Sequence, residues 1–216
     1  TGTVATFGFD TAVSVATDAI DRLHSTAEAH ERVMVVEVMG RYAGWIALNS
    51  GVAATADVVL IPEIPFDIAR VCDKITDREA HGRRFSIVVV AEGATPAGGS
   101  VVIKGEELGR EALLGGIGEQ IAAQIQELTG KETRTVVLGH IQRGGRPTTF
   151  DRLLALRFGA AAVRLVEAGT FNHMVALDPP VVLAVPLEVA TSRLKTVPVD
   201  SDTVLTARDL GISFGD

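Results

Sequence analysis

The segment from Val136 to Pro147, VVLGHIQRGGRP, combines residues that can bind an anion with residues that let the backbone approach a ligand. His140 and Arg143 can donate hydrogen bonds, and so can Arg134, which lies just before the segment. Three donors around one crevice suit a phosphate, because charged donors make short, strong hydrogen bonds to phosphate oxygens. The paired glycines after Arg143 allow backbone turns that a side chain would hinder. The segment therefore predicts a ligand site rather than a piece of core.

Two other segments place polar residues directly after an apolar, strand-like run. Arg41 follows Met39 and Gly40 and precedes a predicted helix. The amino terminus of that helix would favour an anion beside Arg41. The alternative is a solvated arginine in the first turn of the helix. Glu92 follows the run FSIVVVA, and it could accept a hydrogen bond from a sugar hydroxyl or cap the next element. The residues alone leave both pairs of interpretations open.

Arg32 and Arg134 each stand at the start of a predicted strand. This is the end opposite to the one where His140 and Arg41 follow their strands, so within one subunit both arginines should point away from the crevice. They are therefore structural unless a neighbouring subunit shares them.

The elements that must position these residues alternate along the chain. Because parallel neighbouring strands need a crossover connection, alternating strands and helices predict an α/β fold with a mostly parallel sheet and helices on both faces. Ligands in such folds lie beyond the carboxyl ends of the strands, which brings the three segments to one edge. Periodicity predicts helices over 11–23, 66–78, 110–128, 151–168 and 187–194, and a helical stretch that ends at 56. It predicts strands over 32–38, 58–61, 85–91 and 174–177, and one more that begins at 136. Residues 95–109 are predicted to form a loop or hairpin, and the chain from 199 onward is weakly patterned.

Composition limits the classes of partner. The net charge of -7 and the pI near 5.3 argue against nucleic acid and membranes as partners, since a basic field supplies most of that affinity. The single cysteine, Cys72, excludes an intrachain disulfide and favours a reducing, cytoplasmic setting. No His or Cys cluster has metal-ligand spacing. The glycines at 115, 116 and 118 resemble a phosphate loop only superficially, because they do not follow a strand and lack the Lys-Ser/Thr ending.

With these motifs in view, the chain resembles the 6-phosphofructokinase family, in order and through nearly its whole length, and it looks most like the actinobacterial-type branch. The two long matching segments are far longer than a chance motif. The segments that carry the resemblance are TFGFDTA (6–12), AIDRLHSTAEAHERVMVVEVMGRYAGW (19–45), IPE (61–63), AEGA (91–94) and ETRTVVLGHIQRGGRPTTFDR (132–152).

The resemblance implies phosphoryl transfer from ATP, or from pyrophosphate in some members, to the 1-hydroxyl of fructose 6-phosphate with Mg²⁺. Arg41 matches the arginine that bridges substrate and transferred phosphoryl group, Met39 and Gly40 line the sugar, and Glu92 holds sugar hydroxyls. His140 and Arg143 match residues that bind fructose 6-phosphate, with Arg143 near its 6-phosphate. Arg32 and Arg134 match two arginines that reach the 6-phosphate from a neighbouring subunit in the family's bacterial tetramers.

The resemblance also implies a division of the chain. We expect residues 1–142 to bind fructose 6-phosphate and residues 143–216 to return to the donor domain and form a tail. The family's donor and Mg²⁺ motifs and its catalytic aspartate are expected upstream of Thr1, so we expect the chain alone to be inactive and to hold no metal. His24 stands where well-known bacterial members have an arginine in their effector site, and Asp57 replaces a glutamate there, so the match leaves regulation by nucleotide diphosphate or phosphoenolpyruvate open. A non-catalytic phosphosugar-binding module and a structural α/β domain without a ligand are the competing hypotheses.

Overall fold

The computed structural model describes residues 2–105 and 113–216, and for 103–105 and 113–114 it describes the backbone alone. The chain forms two compact units. The smaller unit contains the chain up to Ser14 and Arg143–Lys195, and the larger unit contains Val15–Gln142 and Thr196–Asp216. One boundary between these units falls between Gln142 and Arg143. The expected division into a sugar-binding part and a donor-domain part stays a prediction.

Strands and helices alternate through most of the described chain, as the pattern predicts. In chain order they are α1 (Phe9–Ala29), β1 (Val33–Val38), α2 (Trp45–Ala53), β2 (Val58–Leu60), α3 (Ile68–Ala80), β3 (Ser86–Ala91), β4 (Ile103–Gly105), β5 (Leu113–Leu114), α4 (Ile117–Thr129), β6 (Thr133–Val137), a 3₁₀ turn (Gly139–Arg143), α5 (Thr149–Glu167), β7 (His173–Asp178), β8 (Val181–Pro186), α6 (Leu187–Ala190) and α7 (Asp202–Asp209).

The larger unit is built on a parallel sheet with the strand order β2-β3-β1-β6. Successive side chains of a strand face opposite sides of the sheet, so the apolar residues of β1 serve two cores. Met34 and Val36 pack with helices α1, α2 and α7, while Val33 and Val35 pack with α3 and α4. The predicted α/β fold with helices on both faces is confirmed.

Several helix boundaries differ from the predicted ones for local reasons. Helix α4 begins at Ile117 rather than 110, because Leu113–Leu114 form a strand and Gly115 and Gly116 follow with φ of 136° and 87°, which a helix does not contain. The remainder of that prediction, 110–112, lies outside the described residues. Helix α3 begins at Ile68 because Asp67 caps it, accepting a hydrogen bond from the N–H of Ala69 at 2.9 Å.

The smaller unit holds α5, α6 and the antiparallel hairpin of β7 and β8. Strand β8 and helix α7 are elements that the sequence patterns did not predict. The turn between β7 and β8 contains Pro179 and Pro180, which mark a break in the pattern but do not reveal the strand that follows. Helix α7 is short, and only Val204 and Ala207 of it are buried.

Candidate active site at the carboxyl edge of the sheet

Strand β1 lies between β3 and β6, so the segments that follow these three strands leave the sheet side by side. The N–H of Leu138 donates to the carbonyl of Glu37 at 3.0 Å, and the N–H of Glu92 donates to the carbonyl of Val38 at 2.9 Å. The N–H of Gly93 then donates to the carbonyl of Gly40 at 3.1 Å. The structure therefore brings the segment of Arg41 together with the segments of Glu92 and His140, as the parallel topology requires.

Arg41 does not lie at a helix amino terminus. Helix α2 begins at Trp45 with Gly44 at its N-cap, so Arg41 lies in the preceding bend, half-buried. The N–H of Gly44 donates to both carboxylate oxygens of Glu63, at 3.1 and 3.0 Å. A side chain of the protein thus occupies the position where we expected an external anion, and Arg41 itself must supply any positive charge to a ligand. The expectation failed because three further residues separate Arg41 from the helix.

Glu92 is half-buried and acts on the backbone of the neighbouring segment. Its Oε1 accepts a hydrogen bond from the N–H of Gly40 at 3.3 Å. The next residue, Gly93, lies so close to the carbonyl group of Arg41 that a Cβ atom there would overlap it. These contacts hold the segment of Met39, Gly40 and Arg41 against the end of β3.

His140 and Arg143 lie on the 3₁₀ turn that follows β6, and both are exposed. Arg143 is the first residue that clusters with the smaller unit. The glycine two residues later, Gly145, has a φ of 86°, a conformation that side chains disfavour, so a glycine is required for this turn.

Gln142 was missed by the sequence analysis, although it belongs to the conspicuous segment. Its side chain is only 1% exposed. Its Nε2 donates to the carbonyl of Gly139 at 3.0 Å, and its Oε1 accepts from the N–H of Met39 at 3.3 Å. A buried glutamine with both ends hydrogen-bonded links the segment after β6 to the segment after β1. Its sequence position, beside exposed His and Arg residues, gives no sign of burial.

The far end of the glycine-rich loop is fixed within the smaller unit. Asp151, in the first turn of α5, is buried and accepts hydrogen bonds from the N–H, at 2.8 Å, and the hydroxyl of Thr11. The Thr11 hydroxyl in turn accepts from the N–H of Thr148 at 3.1 Å. Arg152 donates through Nε to the carbonyl of Pro147 at 3.0 Å. Asp151 therefore ties the start of α5 to Thr11.

Arg32 and Arg134 lie at the amino ends of β1 and β6, away from the site just described. They share one partner: Oε1 of Glu132 is 3.0 Å from an Nη of Arg32 and 2.6 Å from an Nη of Arg134. The hydrogen bond from Arg32, with the charges of both arginines, lowers the pKa of Glu132. The arginine side chains are 27% and 57% exposed, so both can be reached from outside the chain.

The glycines before α4 contact an anion that belongs to the protein. Glu37 of β1 is 3% exposed, and one of its oxygens accepts from the N–H of Gly118 at 2.8 Å and from that of Gly116 at 3.2 Å. The carboxylate therefore takes the amino-terminal position of α4 that a phosphate would need. The expectation that these glycines do not follow a strand is wrong, because β5 precedes them directly; Glu37 is the physical reason that they do not form a phosphate loop.

His24 and Asp57 line a cavity of about 410 Å³ elsewhere in the larger unit. Asp57 is 2.7 Å from an Nη of Arg78 and accepts from the N–H of Ile87 at 2.8 Å. Burial nevertheless raises the pKa of Asp57 above its ordinary value of 3.8, because loss of solvent outweighs these contacts. His24 hydrogen-bonds through Nε2 with the carbonyl of Ala54 at 2.8 Å. The other residues of the wall include Lys74, Arg78, Arg83 and Phe85.

Among the residues that the structure describes, no group of three or more His, Cys, Asp or Glu residues could hold a metal ion. None of the helices described combines the length and apolar character that a membrane span requires. Cys72 is buried and free.

The amino-acid sequence matches known proteins over its whole length. It is 58% identical over 215 residues to the ATP-dependent 6-phosphofructokinase of Chloroflexus aurantiacus, covering 100% of this chain and 59% of that protein. It is 55% identical over 212 residues to the pyrophosphate--fructose 6-phosphate 1-phosphotransferase of Streptomyces coelicolor, covering 97% of this chain and 60% of that protein. The chain thus spans about three fifths of the length of these curated relatives.

Solved structures share the fold. The phosphofructokinase of Saccharomyces cerevisiae superposes with a TM-score of 0.75 at 33% identity, covering 89% of this chain and 24% of that one. The pyrophosphate-dependent phosphofructokinase of Marinobacter aquaeolei superposes with a TM-score of 0.73 at 23% identity, covering 93% and 53% of the two chains. A family model described as Phosphofructokinase matches residues 1–166. With the parallel sheet and the segments gathered at its carboxyl edge, these matches establish that the chain belongs to the phosphofructokinase family.

Proposed function

We propose that this chain supplies the fructose 6-phosphate-binding part of a 6-phosphofructokinase. The full-length protein would transfer a phosphoryl group from ATP or pyrophosphate to the 1-hydroxyl of fructose 6-phosphate, the step that forms fructose 1,6-bisphosphate in glycolysis. The observation that carries the proposal is the convergence of the Arg41, Glu92 and His140 segments at one edge of the sheet in a member of this family.

In the proposed site, Arg41 stabilises negative charge on the transferred phosphoryl group. Phosphoryl transfer depends mainly on positioning and charge stabilisation, which an arginine fixed by its backbone can supply. The backbone of Met39 and Gly40 lines the sugar, His140 binds the sugar phosphate, and Arg143 binds its 6-phosphate. Glu92 accepts hydrogen bonds from sugar hydroxyls; its contact with the N–H of Gly40 supports this role by fixing the carboxylate beside the sugar-lining segment.

Arg32 and Arg134 serve a neighbouring subunit's site in this proposal, which requires a homo-oligomer, with a tetramer as the expected form. Three observations support it: both arginines are at the amino edge of the sheet, both remain accessible, and one carboxylate of Glu132 aligns them. Two guanidinium groups beside one carboxylate leave a net positive charge, which favours binding of a phosphate.

The proposal includes Mg²⁺ and a phosphoryl donor, but it assigns neither of them to the residues named above. No described acidic cluster fits a metal, so we assign no step of the reaction on this chain to the ion; we propose that its ligands and the catalytic aspartate lie in a part of the full-length protein outside this chain. The relatives named above include one that uses ATP and one that uses pyrophosphate, so the donor is left open between the two. We propose a cytoplasmic location, which the single free cysteine supports.

The test is to measure binding and turnover separately. The 216-residue chain and the full-length protein are titrated with fructose 6-phosphate and assayed with ATP and with pyrophosphate. We expect turnover from the full-length protein with one donor and no turnover from the chain alone. Turnover by the chain alone would refute the external position of the catalytic base. Binding of the sugar phosphate by a full-length protein that shows no turnover with either donor would favour a non-catalytic phosphosugar-binding module.

A further inference from the structure

Gln142 is buried, although the residues on either side of it in the sequence are exposed. It is among the largest side chains of the described structure that are buried almost completely, at 1% exposure, and it is the one polar residue of that group. Burying an amide is favourable only when its polar atoms are hydrogen-bonded. Both ends of Gln142 satisfy this condition, through the carbonyl of Gly139 and the N–H of Met39.

The side chain of Gln142 makes a hydrogen bond to the segment after β1 at a point where the backbone after β6 no longer pairs with it. Strands β1 and β6 pair in parallel as far as Glu37 and Val137, and the last backbone hydrogen bond between them runs from Leu138 to Glu37. Beyond this point the chain after β6 turns into the 3₁₀ helix and leaves the N–H of Met39 without a backbone partner on that side. The amide oxygen of Gln142 accepts this hydrogen bond at 3.3 Å.

The segment after β1 is therefore held from both sides by side chains. The N–H of Met39 is bound by Gln142 from the β6 side, and the next N–H, that of Gly40, is bound by Glu92 from the β3 side. Both hydrogen bonds immediately precede Arg41. A displacement at Gln142 would move the turn that carries His140 relative to Arg41.

We propose that Gln142 is a positioning residue that sets the spacing between the Arg41 segment and the His140 turn for binding of the sugar phosphate. The inference rests on the proposed function. An amide is required because the site needs one acceptor, for Met39, and one donor, for Gly139. A carboxylate retains the acceptor and loses the donor, and a thioether of similar length loses both.

The test compares Gln142→Glu and Gln142→Met in the full-length protein. We expect each variant to raise KM for fructose 6-phosphate about tenfold, the effect of about one hydrogen bond, with kcat and KM for the donor changed by less than about threefold. Gln124 provides the control, because it is half-buried on α4 and lies outside every segment that the proposal assigns to binding. Gln124→Glu and Gln124→Met should leave KM for fructose 6-phosphate unchanged.

A general structural role would give a different result. It would lower the melting temperature and reduce kcat while leaving KM for fructose 6-phosphate unchanged, and that outcome in the Gln142 variants would overturn the proposal. If Gln142→Met does not fold, the isosteric Gln142→Glu carries the same comparison. A wild-type protein that neither binds nor phosphorylates fructose 6-phosphate would refute the proposed function itself, so the two failures are distinguishable.

Discussion

At the scale of single residues, the carboxylates near the proposed site accept hydrogen bonds from backbone N–H groups. A carboxylate at the opposite edge of the sheet instead forms ion pairs with arginines. Glu92 accepts from Gly40, and Glu63 accepts from Gly44 and from Val197. Glu132 instead joins two arginines through one oxygen. This distribution leaves the positive charge that the proposed function requires to arginines whose positions are set by fixed backbone or by a shared carboxylate.

Arg134→Ala in the full-length protein tests the role of the arginine pair. Loss of one charge-assisted hydrogen bond to a phosphate should raise KM for fructose 6-phosphate roughly tenfold or more, with a smaller effect on KM for the donor. Arg70→Ala is the control, because Arg70 lies exposed on α3 outside all the proposed binding segments. An unchanged KM in Arg134→Ala would exclude this residue from the site.

Asp57 should give stability a specific pH dependence. Burial raises its pKa above 3.8 in the folded state, so the folded protein holds this proton more tightly than the unfolded chain does. The resulting stabilisation is complete below the unfolded pKa and is lost as pH rises through the raised folded pKa. The free energy of unfolding of the wild type minus that of Asp57→Asn, from urea titrations, should therefore fall as pH rises above about 4 and then become constant. A difference that increases with pH would show that the Arg78 contact outweighs burial.

At the scale of elements, the decisive feature is the close approach of the segments after β1 and β3. Gly93 allows it, since a Cβ atom at this position would overlap the carbonyl group of Arg41 and lie 2.9 Å from the carbonyl oxygen of Gly40. The sequence predicted that both segments reach one edge, because parallel strands all end on the same side. It did not predict that Arg41 precedes α2 by four residues, because the pattern of apolar residues does not mark where the bend ends.

Gly93→Ala tests this close approach. We expect a loss of about 1–3 kcal/mol in the free energy of unfolding, from strain in a packed site, together with a higher KM for fructose 6-phosphate. Gly159→Ala is the matched control, because this glycine lies in helix α5, where an added Cβ would meet nothing within 4 Å beyond the local helix backbone. It should stabilise the protein by about 0.5–1 kcal/mol. Urea unfolding measures both, and equal effects of the two substitutions would contradict the argument.

At the scale of the whole molecule, the proposed site is shared between subunits, and complementation tests it. Arg134→Ala subunits retain His140, and His140→Ala subunits retain Arg134. Each full-length variant alone should have low activity, whereas dissociating, mixing and reassembling the two should restore part of it, because some sites then receive both intact residues. Mixing Arg134→Ala with the double variant Arg134→Ala/His140→Ala is the control and should restore nothing. Absence of recovery in the first mixture would argue that each site is complete within one subunit.

The sequence by itself determined the fold class, the family and the edge of the sheet at which the binding segments meet. These follow from local patterns: alternating strands and helices, the long segment ending in VVEVMGR, and polar residues after apolar strands. Only the tertiary structure decided which polar residues bind the protein itself. The sequence patterns gave no role to Gln142, Glu63 or Glu37, and in the structure each accepts hydrogen bonds from backbone N–H groups. Those partners come from distant parts of the chain, and only folding brings them within hydrogen-bonding distance.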